Sequence, residues 1–468
     1  MFRIEEEANK KDTSFWVGTR PNILSSEEDV HYKKSDSLLM KKETKEYKDS
    51  VAKASRKHNF GLDGFSMSNR ETGVSLRSNP LFDWVSYNTV EGTRAKLAFY
   101  YTKRNKETFQ IKSVSSFLRY GFDSKQLFGG AGYYNRFNAK KGQSVNIRAG
   151  RFIRQFNSHE PVGDPMNAGY TLFDKSNFQK LYAKYAIEAN YNHEVTNGVF
   201  MNVGAQYNIR EALLNNSFYY WFGKGAKHFT NNDPLNPDSY VEQKAFETHE
   251  MAQFQIGVKW IPFAKYETYP NYKMMLDTKW PEFSFAYKKG FGTKNATFNY
   301  DYLEVGIGKD IDIRSFGKFS FDVLGGIFFN NKNMNFIDYK HFSGNQTIFL
   351  MNKDNSDVPG ISARNAITEF HALPYYAYST NDKYVEIHAS HNFRGFFIGK
   401  IPLLRKTKIF EVAGVNALYT PTSNYTEVFV GADKIFKFFR FDVGTSLQNQ
   451  SSKKLDLFYR FGFRLSFF

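Results

Sequence analysis

The sequence of 468 residues contains no cysteine, and no run of apolar residues in it approaches the length of a membrane helix. The lack of cysteine excludes disulfides, thiol nucleophiles and thiolate metal ligands. A membrane helix needs about 20 consecutive apolar residues, so a helical membrane protein is excluded. The chain also begins without the charged and then apolar segment of an export signal. We interpret it as part of a longer precursor.

Aromatic residues, by contrast, are abundant in a chain that is polar on average. Phe and Tyr number 49 and 30, while the mean hydropathy is −0.54. An apolar outer band around a polar interior, as in a membrane β-barrel, produces both values together. The net charge of +16 is spread along the chain without a dense basic run. No nucleic-acid motif accompanies it, so we expect no nucleic-acid partner but a surface for anionic lipids or a cationic lumen.

The last stretch, 455–468, alternates between apolar and polar residues. Its apolar parity contains Leu457, Tyr459, Phe461, Phe463 and Leu465. The other parity contains Arg460 and Arg464. Because successive side chains of a strand point to opposite faces, this pattern predicts one apolar and one polar face. We interpret the stretch as the closing strand of a transmembrane barrel, with its apolar residues toward lipid and both arginines toward the lumen.

The same alternation recurs along most of the chain and predicts an all-β fold. The predicted strands lie near 81–89, 93–104, 107–121, 126–138, 143–156, 181–195, 199–211, 247–263, 281–290, 298–311, 317–329, 383–396, 404–420, 425–435, 437–449 and 455–468. The fold class is therefore a transmembrane antiparallel β-barrel of about 16 strands, an even number as in bacterial single-chain barrels. Residues 1–80 are predicted to be a short, partly helical periplasmic lead-in with a helix start at Ser26 and a Gly-, Ser- and Asn-rich linker, and 81–468 the barrel.

The lengths of the connections agree with a barrel. If the first strand runs outward, the long connections 157–180, 212–246 and 330–382 all fall outside. Short turns such as 105–106 fall on the periplasmic side, and only 264–280 breaks the rule. Outer-membrane barrels have this distribution of short and long connections.

Four segments resemble a known family. They are ANKKDTSFWVGTRPNILSSEE (8–28), VSYNTVEG (85–92), HNFRGFFIGKIPLLRKTKIFEVAGVNALY (391–419) and DKIFKFFRFDV (433–443). Together they resemble a Gram-negative outer-membrane barrel family known as a domain of unknown function, whose barrel usually follows a carboxypeptidase-regulatory-like domain. The resemblance implies that this chain is the barrel part and that it lies in the cell outer membrane. It supplies no catalytic residues. From the closing strand we expect the outer-membrane insertion machinery to be a partner.

Two functions from different classes remain open. In the first, the barrel is a transport pore or an envelope-assembly component that works through its lumen and loops, with a periplasmic partner as an option. The charged residues expected to face the lumen are Arg94, Arg148, Glu188, Arg440, Arg460 and Arg464. They would favour anions. In the second, the barrel is a scaffold for a surface adhesin or hydrolase site on the long loops, where the segment SFYYWFG (217–223) exposes aromatics that bind glycans or partners.

No enzyme or metal site rises above background. Ser158, His159 and Glu160 are adjacent in one loop and His371 lies in another, but no G-x-S-x-G motif occurs. Glu386 and His388 share a strand face that turns His391 away. Asp354, Asn355, Ser356 and Asp357 lack the spacing of a calcium loop. We therefore predict no catalytic residue, no metal and no cofactor.

One turn combines basic and apolar residues. Ile401, Pro402, Leu403 and Leu404 form a predicted periplasmic turn flanked by Lys400, Arg405 and Lys406. Two interpretations are open, since such a turn either grips lipid headgroups or a partner's strand, or is simply well anchored.

Overall fold

The computed structural model consists mainly of one large antiparallel sheet. It describes residues 15, 25–44, 46–47, 50, 56–221, 228–294, 298–347, 349–350, 369–402, 405–448 and 454–463. Two longer helices occur among them, α1 (Ser26–Glu43) and α2 (Asp164–Asp174). Ser25 and Glu28 form a reciprocal capping box at the start of α1, one residue before the Ser26 start predicted from sequence. None of the described helices is long and apolar enough for a membrane span.

The strands follow each other along the chain with few interruptions. They are β1 (Arg56–Gly61), β2 (Gly64–Asn69), β3 (Val74–Ser78), β4 (Val85–Asn88), β5 (Gly92–Arg104), β6 (Ile111–Gly121), β7 (Gln126–Asn138), β8 (Gln143–Gln155), β9 (Leu181–Thr196), β10 (Val199–Ala212), β11 (His249–Trp260), β12 (Tyr266–Thr268), β13 (Lys273–Met275), β14 (Glu282–Gly292), β15 (Asn299–Asp312), β16 (Lys318–Phe329), β17 (Phe349–Leu350), β18 (Tyr384–Asn392), β19 (Phe410–Tyr419), β20 (Asn424–Ile435), β21 (Phe439–Gln448) and β22 (Lys454–Phe463).

Pairing follows chain order, which makes the sheet a meander. Each strand from β5 to β11 pairs antiparallel with the next, and the order continues through β14, β15, β16 and β18 to β22. The short β17 adds to β22 in parallel, and β12 and β13 form a separate pair. Among the described residues no hydrogen-bonded pairing joins β22 to β1. Closure of the sheet therefore stays a prediction.

The beginning of the sheet differs from the sequence prediction. Strands begin at Arg56 rather than Leu81, since β1, β2 and β3 form hairpins in the segment predicted to be a linker. Gly64 and Gly73 take positive φ values of 85° and 68° in the hairpin turns, which explains the glycine-rich composition. With these three strands and β17, the large sheet has 20 described strands instead of about 16.

The predicted strand 81–89 is also wrong in its bounds. Residues 81–83 form a 3-10 turn, and β3 and β4 pair with different halves of β5. Pro80 has no N–H to donate to a ladder, and the pairing with β5 is interrupted between β3 and β4. The Asn79 side chain takes over the ladder by accepting from the N–H of Ala98 at 2.8 Å.

The two ends of the sheet differ. Connections 157–180, 213–248 and 330–383 leave from one end, which we call the loop end, together with the turns at 122–125 and 420–423. Shorter connections at 139–142, 197–198, 313–317 and 436–438 lie at the opposite end, which we call the turn end. The longer connections 261–281, which carries β12 and β13, and 393–409 also belong to the turn end.

Two glycines in turns at the turn end provide a matched stability test. Gly142 and Gly198 have φ values of 58° and 80°. A Cβ at Gly142 would meet nothing within 4 Å, whereas one at Gly198 would collide with the carbonyl oxygen of Ile261. We expect Gly142→Ala to lower the free energy of unfolding by about 1–2 kcal/mol, the cost of a left-handed alanine, and Gly198→Ala to lower it by more. Urea unfolding of the protein in micelles measures both, and equal losses would contradict the close contact.

A sealed polar interior as the candidate functional site

Alternation along the strands places charge on one face of the sheet and apolar side chains on the other. In β18, Glu386 and His388 are 3% and 0% exposed, whereas Val385 and Ile387 are about 40% exposed. The same alternation occurs in β20, where Glu427 is buried and Val428 is exposed. We call the face that carries the buried polar residues the inward face.

The longest connection folds over this inward face. Its two described parts, 330–347 and 369–383, are joined by a bridge between Lys340 and Thr380. Asn157, at the end of β8, donates its side-chain amide to the carbonyl of Phe342 at 3.2 Å, and the Phe342 ring packs edge-on against Tyr384 in β18 at 5.2 Å. The connection therefore contacts strands that are far apart in the meander.

Asp338 in this connection anchors a first cluster. Its carboxylate accepts from Arg210 Nη1 of β10 at 2.7 Å, and from Gln253 of β11 and the Tyr300 hydroxyl of β15 at 3.0 Å each. The side chains of Arg210 and Asp338 are only 4% and 5% exposed. A charged pair so far from water is most stable when its remaining polar atoms are also bonded, and the two neutral donors serve that purpose for the Asp338 carboxylate.

Lys340 anchors a second cluster two residues further on. Its ammonium lies 2.8 Å from Glu304 of β15 and 3.9 Å from Glu386 of β18. The hydroxyls of Tyr302 and Tyr384 also donate to Glu304. One loop cation thus neutralises two buried carboxylates from different strands.

The other part of the connection binds β20 through its backbone. The N–H groups of His371 and Ala372 donate to the two oxygens of the Glu427 carboxylate, and Asn416 donates to it from β19 at 2.6 Å. Glu369 in the same part lies 3.2 Å from Arg460 of β22. Glu427 of β20 and Arg460 of β22 are therefore both bonded to the loop.

A second connection seals the opposite side of the interior around α2. Asp164, in the first turn of α2, bonds both Arg94 of β5 and Arg119 of β6 and accepts from Gln179 at 2.7 Å. Burial alone would raise the pKa of Asp164, but the charges of Arg119 and Arg94 hold that pKa below its ordinary value. Glu91 adds two further hydrogen bonds to Arg119.

Two histidines of the long connection are buried where they must stay neutral. Burial lowers the pKa of His341 to about 3, and its Nδ1 lies 2.7 Å from the Ser379 hydroxyl. Burial lowers the pKa of His371 well below its ordinary value, with a further contribution from Arg460 and Arg440. Protonation would add charge to a region that is already desolvated.

Two small cavities lie between these clusters in the described part of the chain. One of about 160 Å³ lies over β8 to β11, and one of about 350 Å³ lies over β5 to β9. Arg148, Arg154, Gln155 and Glu160 line both cavities, so the two adjoin.

The structure places five of the six predicted lumen charges on the inward face. Their carboxylate partners are Asp83 and Asp164 for Arg94, Glu188 for Arg148, Asp442 for Arg440 and Glu369 for Arg460. Arg464 lies outside the described residues. Each of the four described arginines therefore has a carboxylate partner, and the anion preference expected from a cationic lumen stays a prediction.

In β22, Leu457, Tyr459 and Phe461 are 63%, 67% and 43% exposed, and Arg460 on the other parity is 4% exposed. The side chain of Phe463, and Leu465 as a whole, lie outside the described residues.

The candidate enzyme and metal residues do not form a site of their own. His371 belongs to the Glu427 cluster, and Glu160 pairs with Arg154 at 3.2 Å. His388 bonds Glu386 at 2.9 Å, and His391 bonds the carbonyl of Phe316 on the other face. Residues 354–357 lie outside the described part of the chain. Within that part, no three His, Asp or Glu side chains are grouped as metal ligands.

Sequence reasoning missed Asp338, Lys340 and Glu427 as members of the site. Glu427 lies on the polar parity of β20, so the alternation of that strand could have identified it as an inward-facing residue. The two loop residues lie in a segment without periodicity, and only their charge in a long aromatic-rich connection marks them.

Comparison with known proteins shows that the chain matches the model of one family and is weakly similar to several solved structures. The model of the family described as "Family of unknown function (DUF5686) C-terminal domain" matches residues 59–432. No curated protein matches. Among solved structures, BamA from Haemophilus ducreyi lacking POTRA domains 1–3 has a TM-score of 0.42 and 9% identity, covering 88% of this chain and 76% of BamA.

Two further structures are similar at lower scores. A mutant of Rh. blastica porin has a TM-score of 0.29 and 11% identity, covering 79% of this chain and 89% of the porin. OccK10 from Pseudomonas aeruginosa has a TM-score of 0.26 and 8% identity, covering 83% of this chain and 94% of its own. No function follows from similarity at this level.

The buried Arg210–Asp338 pair allows the contact between the long connection and the inward face to be tested. We expect Asp338→Ala to lower the free energy of unfolding by about 3–5 kcal/mol, because it leaves the Arg210 charge buried without its carboxylate. The double variant with Arg210→Ala should lose less than the sum of the two single losses. The exposed pair of Lys318 and Asp310, at 40% and 41% exposure, serves as the control.

Urea unfolding and protease cleavage within 330–382 measure the effect. Asp310→Ala should cost about 0–1 kcal/mol and leave the cleavage rate unchanged. Additive losses in the Arg210 and Asp338 cycle would contradict direct coupling between loop and strand.

Proposed function

We propose that this chain, which belongs to the family of unknown function described as the DUF5686 C-terminal domain, is a barrel of the Gram-negative outer membrane. The resemblance of its sequence segments to a family of outer-membrane barrels supports this proposal. In this proposal the meander closes through β22 and the first strands. The lead-in that contains α1 lies in the periplasm, at the turn end. The barrel acts as a gated transport or envelope-assembly component, and the connection 330–382 is its moving part.

The observation that carries the membrane proposal is a belt of exposed apolar side chains on the outward face. It extends over strands from β5 to β22 and includes Leu97, Val114, Leu118, Leu127, Ile147, Ile187, Phe254, Phe285, Val305, Val428, Val430, Phe441, Leu457 and Tyr459. A soluble monomer rarely exposes a contiguous apolar patch of more than a few hundred Å². A barrel in lipid requires one around its whole circumference.

The sealed interior supports gating rather than permanent passage. A porin-like lumen needs an aqueous path, but here Asp338, Lys340 and Glu369 hold the loop against strands from β10 to β22. Their partners, Arg210, Glu304 and Arg460, are all under 10% exposed. The same contacts make a unit that moves as a whole, since breaking one charge pair exposes the next to water. We propose no enzymatic activity, no metal and no cofactor.

The proposed placement in the outer membrane also suggests partners for the protein. The belt binds outer-membrane lipids, insertion requires the outer-membrane insertion machinery, and the turn end is available to a periplasmic partner. We propose no nucleic-acid partner, because no nucleic-acid motif accompanies the basic charge of the chain.

A second function is favoured by aromatics at the loop end. Phe218, Tyr219, Tyr220 and Trp221 are 41–59% exposed, and the Trp221 ring packs edge-on against the exposed Phe173 at 5.4 Å. Exposed aromatics on rigid loops suit an adhesin that binds sugar rings or a partner surface.

Conductance in a planar bilayer tests the gated barrel. The intact protein should be silent or show only brief openings, because charged pairs fill the interior. A variant in which a short Gly-Ser linker replaces 330–381 should conduct steadily. Replacing 267–274 at the turn end by the same linker is the control and should leave the bilayer silent. Steady conductance of the intact protein, or silence of the 330–381 variant, would contradict the role of the loop.

The membrane belt has its own test at Phe461. We expect Phe461→Arg to cost about 1–2 kcal/mol on folding into lipid vesicles. Phe461 pairs with Phe441, three residues from the turn at 436–438, and the cost of a charge falls from about 2–4 kcal/mol at the bilayer midplane to about 0–1 kcal/mol near the interfaces. Phe122, 53% exposed in the turn after β6, is the matched site outside the belt, and Phe122→Arg should cost about 0–1 kcal/mol. The unfolding midpoint in urea measures both. A protein that is monodisperse without detergent would contradict the membrane placement itself.

A further inference from the structure

A basic cleft lies at the turn end, on the opposite side of the molecule from the seal. Its volume is about 490 Å³, within the range of small-molecule sites. Five cations line it: Arg394, Arg405, Lys408, Lys434 and Lys437. They come from the 393–409 connection and from the tight turn between β20 and β21. The sequence predicted a basic turn in the 393–409 connection, but it did not predict that this connection lies next to the turn between β20 and β21.

Aromatic contacts and turn geometry hold the cleft in shape. Phe396 of the connection stacks on Phe316 of the neighbouring turn at 4.4 Å, and the N–H of Ile398 donates to Glu411 in β19. The turn between β20 and β21 is unusually constrained, because Lys434 and Lys437 both take positive φ, at 60° and 74°. A side chain other than glycine in this region stores strain, which fits a turn shaped for contact rather than for stability.

The charges of the cleft are not balanced. Arg394 pairs with Asp312 at 2.8 Å, and Lys434 lies over the Phe410 ring at 4.1 Å. Among the described residues, no carboxylate lies within 4 Å of the ammonium or guanidinium groups of Arg405, Lys408 and Lys437. This differs from the inward face, where four of the predicted arginines have a carboxylate partner.

Two carboxylates near the cleft are engaged by the backbone. Glu411 accepts from Ile398, and Asp433 accepts from the N–H of Lys434 at 2.8 Å. Both belong to the strands beneath the cleft, and neither lines it. The cleft therefore presents an excess of positive charge to its occupant.

An apolar rim accompanies the cations. Ile398, Ile409 and Phe410 form part of the wall. Phe436 and Phe438, beside Lys437 in the same turn, are 80% and 47% exposed. A site for a free inorganic anion has no use for exposed phenyl rings next to its cations. A molecule with a phosphate head and hydrocarbon chains uses both.

We propose that this cleft binds the phosphate headgroup of an anionic membrane phospholipid, whose acyl chains leave along Phe436 and Phe438. The inference rests on the proposed membrane placement, which sets the turn end at the headgroup layer. Basic residues near an anionic leaflet each add roughly 1 kcal/mol to binding. The cleft would thus fix the barrel to particular lipids at its turn end, while the loop end remains free to open.

Titration of the full-length protein in zwitterionic micelles with short-chain phosphatidylglycerol tests the site by calorimetry. The triple variant Arg405→Gln, Lys408→Gln, Lys437→Gln should bind roughly 100-fold more weakly, as expected for the loss of three basic contacts. The control is Lys103→Gln, Arg104→Gln, Lys106→Gln, which removes the same charges from exposed positions at the same end of the sheet. It should change affinity by less than about twofold.

The outcomes distinguish a lipid site in the cleft from a general charge effect and from a soluble-phosphate site. Equal weakening by both triple variants would show a general charge effect and overturn the cleft. Inorganic phosphate that binds as tightly as the lipid would overturn the lipid assignment in favour of a soluble phosphate, and absence of binding by the intact protein would overturn the site. If the triple variant does not fold, Lys437→Gln alone should weaken binding about fivefold, and no change would contradict the proposal. Failure of the membrane placement would show instead as solubility without detergent.

Discussion

The alternation of the strand is the constraint on which the rest of the structure depends. Every strand that turns an apolar side chain outward must turn its neighbours inward, and in this chain many of those neighbours carry charge. A charge that leaves water must be neutralised and hydrogen-bonded at once. The sheet supplies only some of the partners, such as Glu188 for Arg148. The remaining partners come from connections that fold inward. The alternation of the strands therefore accounts both for the outward apolar belt and for the loops that cover the inward face.

The loop is joined to the sheet by apolar as well as polar groups. Phe342, Phe370 and Leu373 of the loop form one buried cluster with strand residues that include Tyr300, Tyr384 and Leu418. The charged contacts beside this cluster are strong as long as their neighbours exclude water. His341 and His371 lie in the same desolvated region, where burial lowers the pKa of each. At the opposite end, Arg405, Lys408 and Lys437 of the basic cleft have no carboxylate partner among the described residues, so the two ends differ in their balance of charge.

The strands were largely predictable from sequence, because a period of two survives in single residues such as Val385, Glu386 and Ile387. The family resemblance was confirmed by the match over 59–432. The first hairpins were not predictable, since Gly64 and Gly73 gave them the composition of a linker. Arg210 and Asp338 are 128 residues apart, and no local pattern relates a strand residue to a loop residue at that distance. Parity thus indicated which charges face inward, but not that loops would neutralise them.

Because the chain has no cysteine, single cysteines can be introduced and spin-labelled without background, and such a scan along β6 tests the central claim most directly. Ser113 and Ser115 lie on the inward parity, and Val114 and Ser116 on the outward parity. In lipid bilayers, we predict that labels at 114 and 116 are relaxed mainly by oxygen dissolved in the lipid, and that those at 113 and 115 are shielded from it. A water-soluble nickel chelate that relaxes all four labels equally would contradict a sheet that separates lipid from a sealed polar interior.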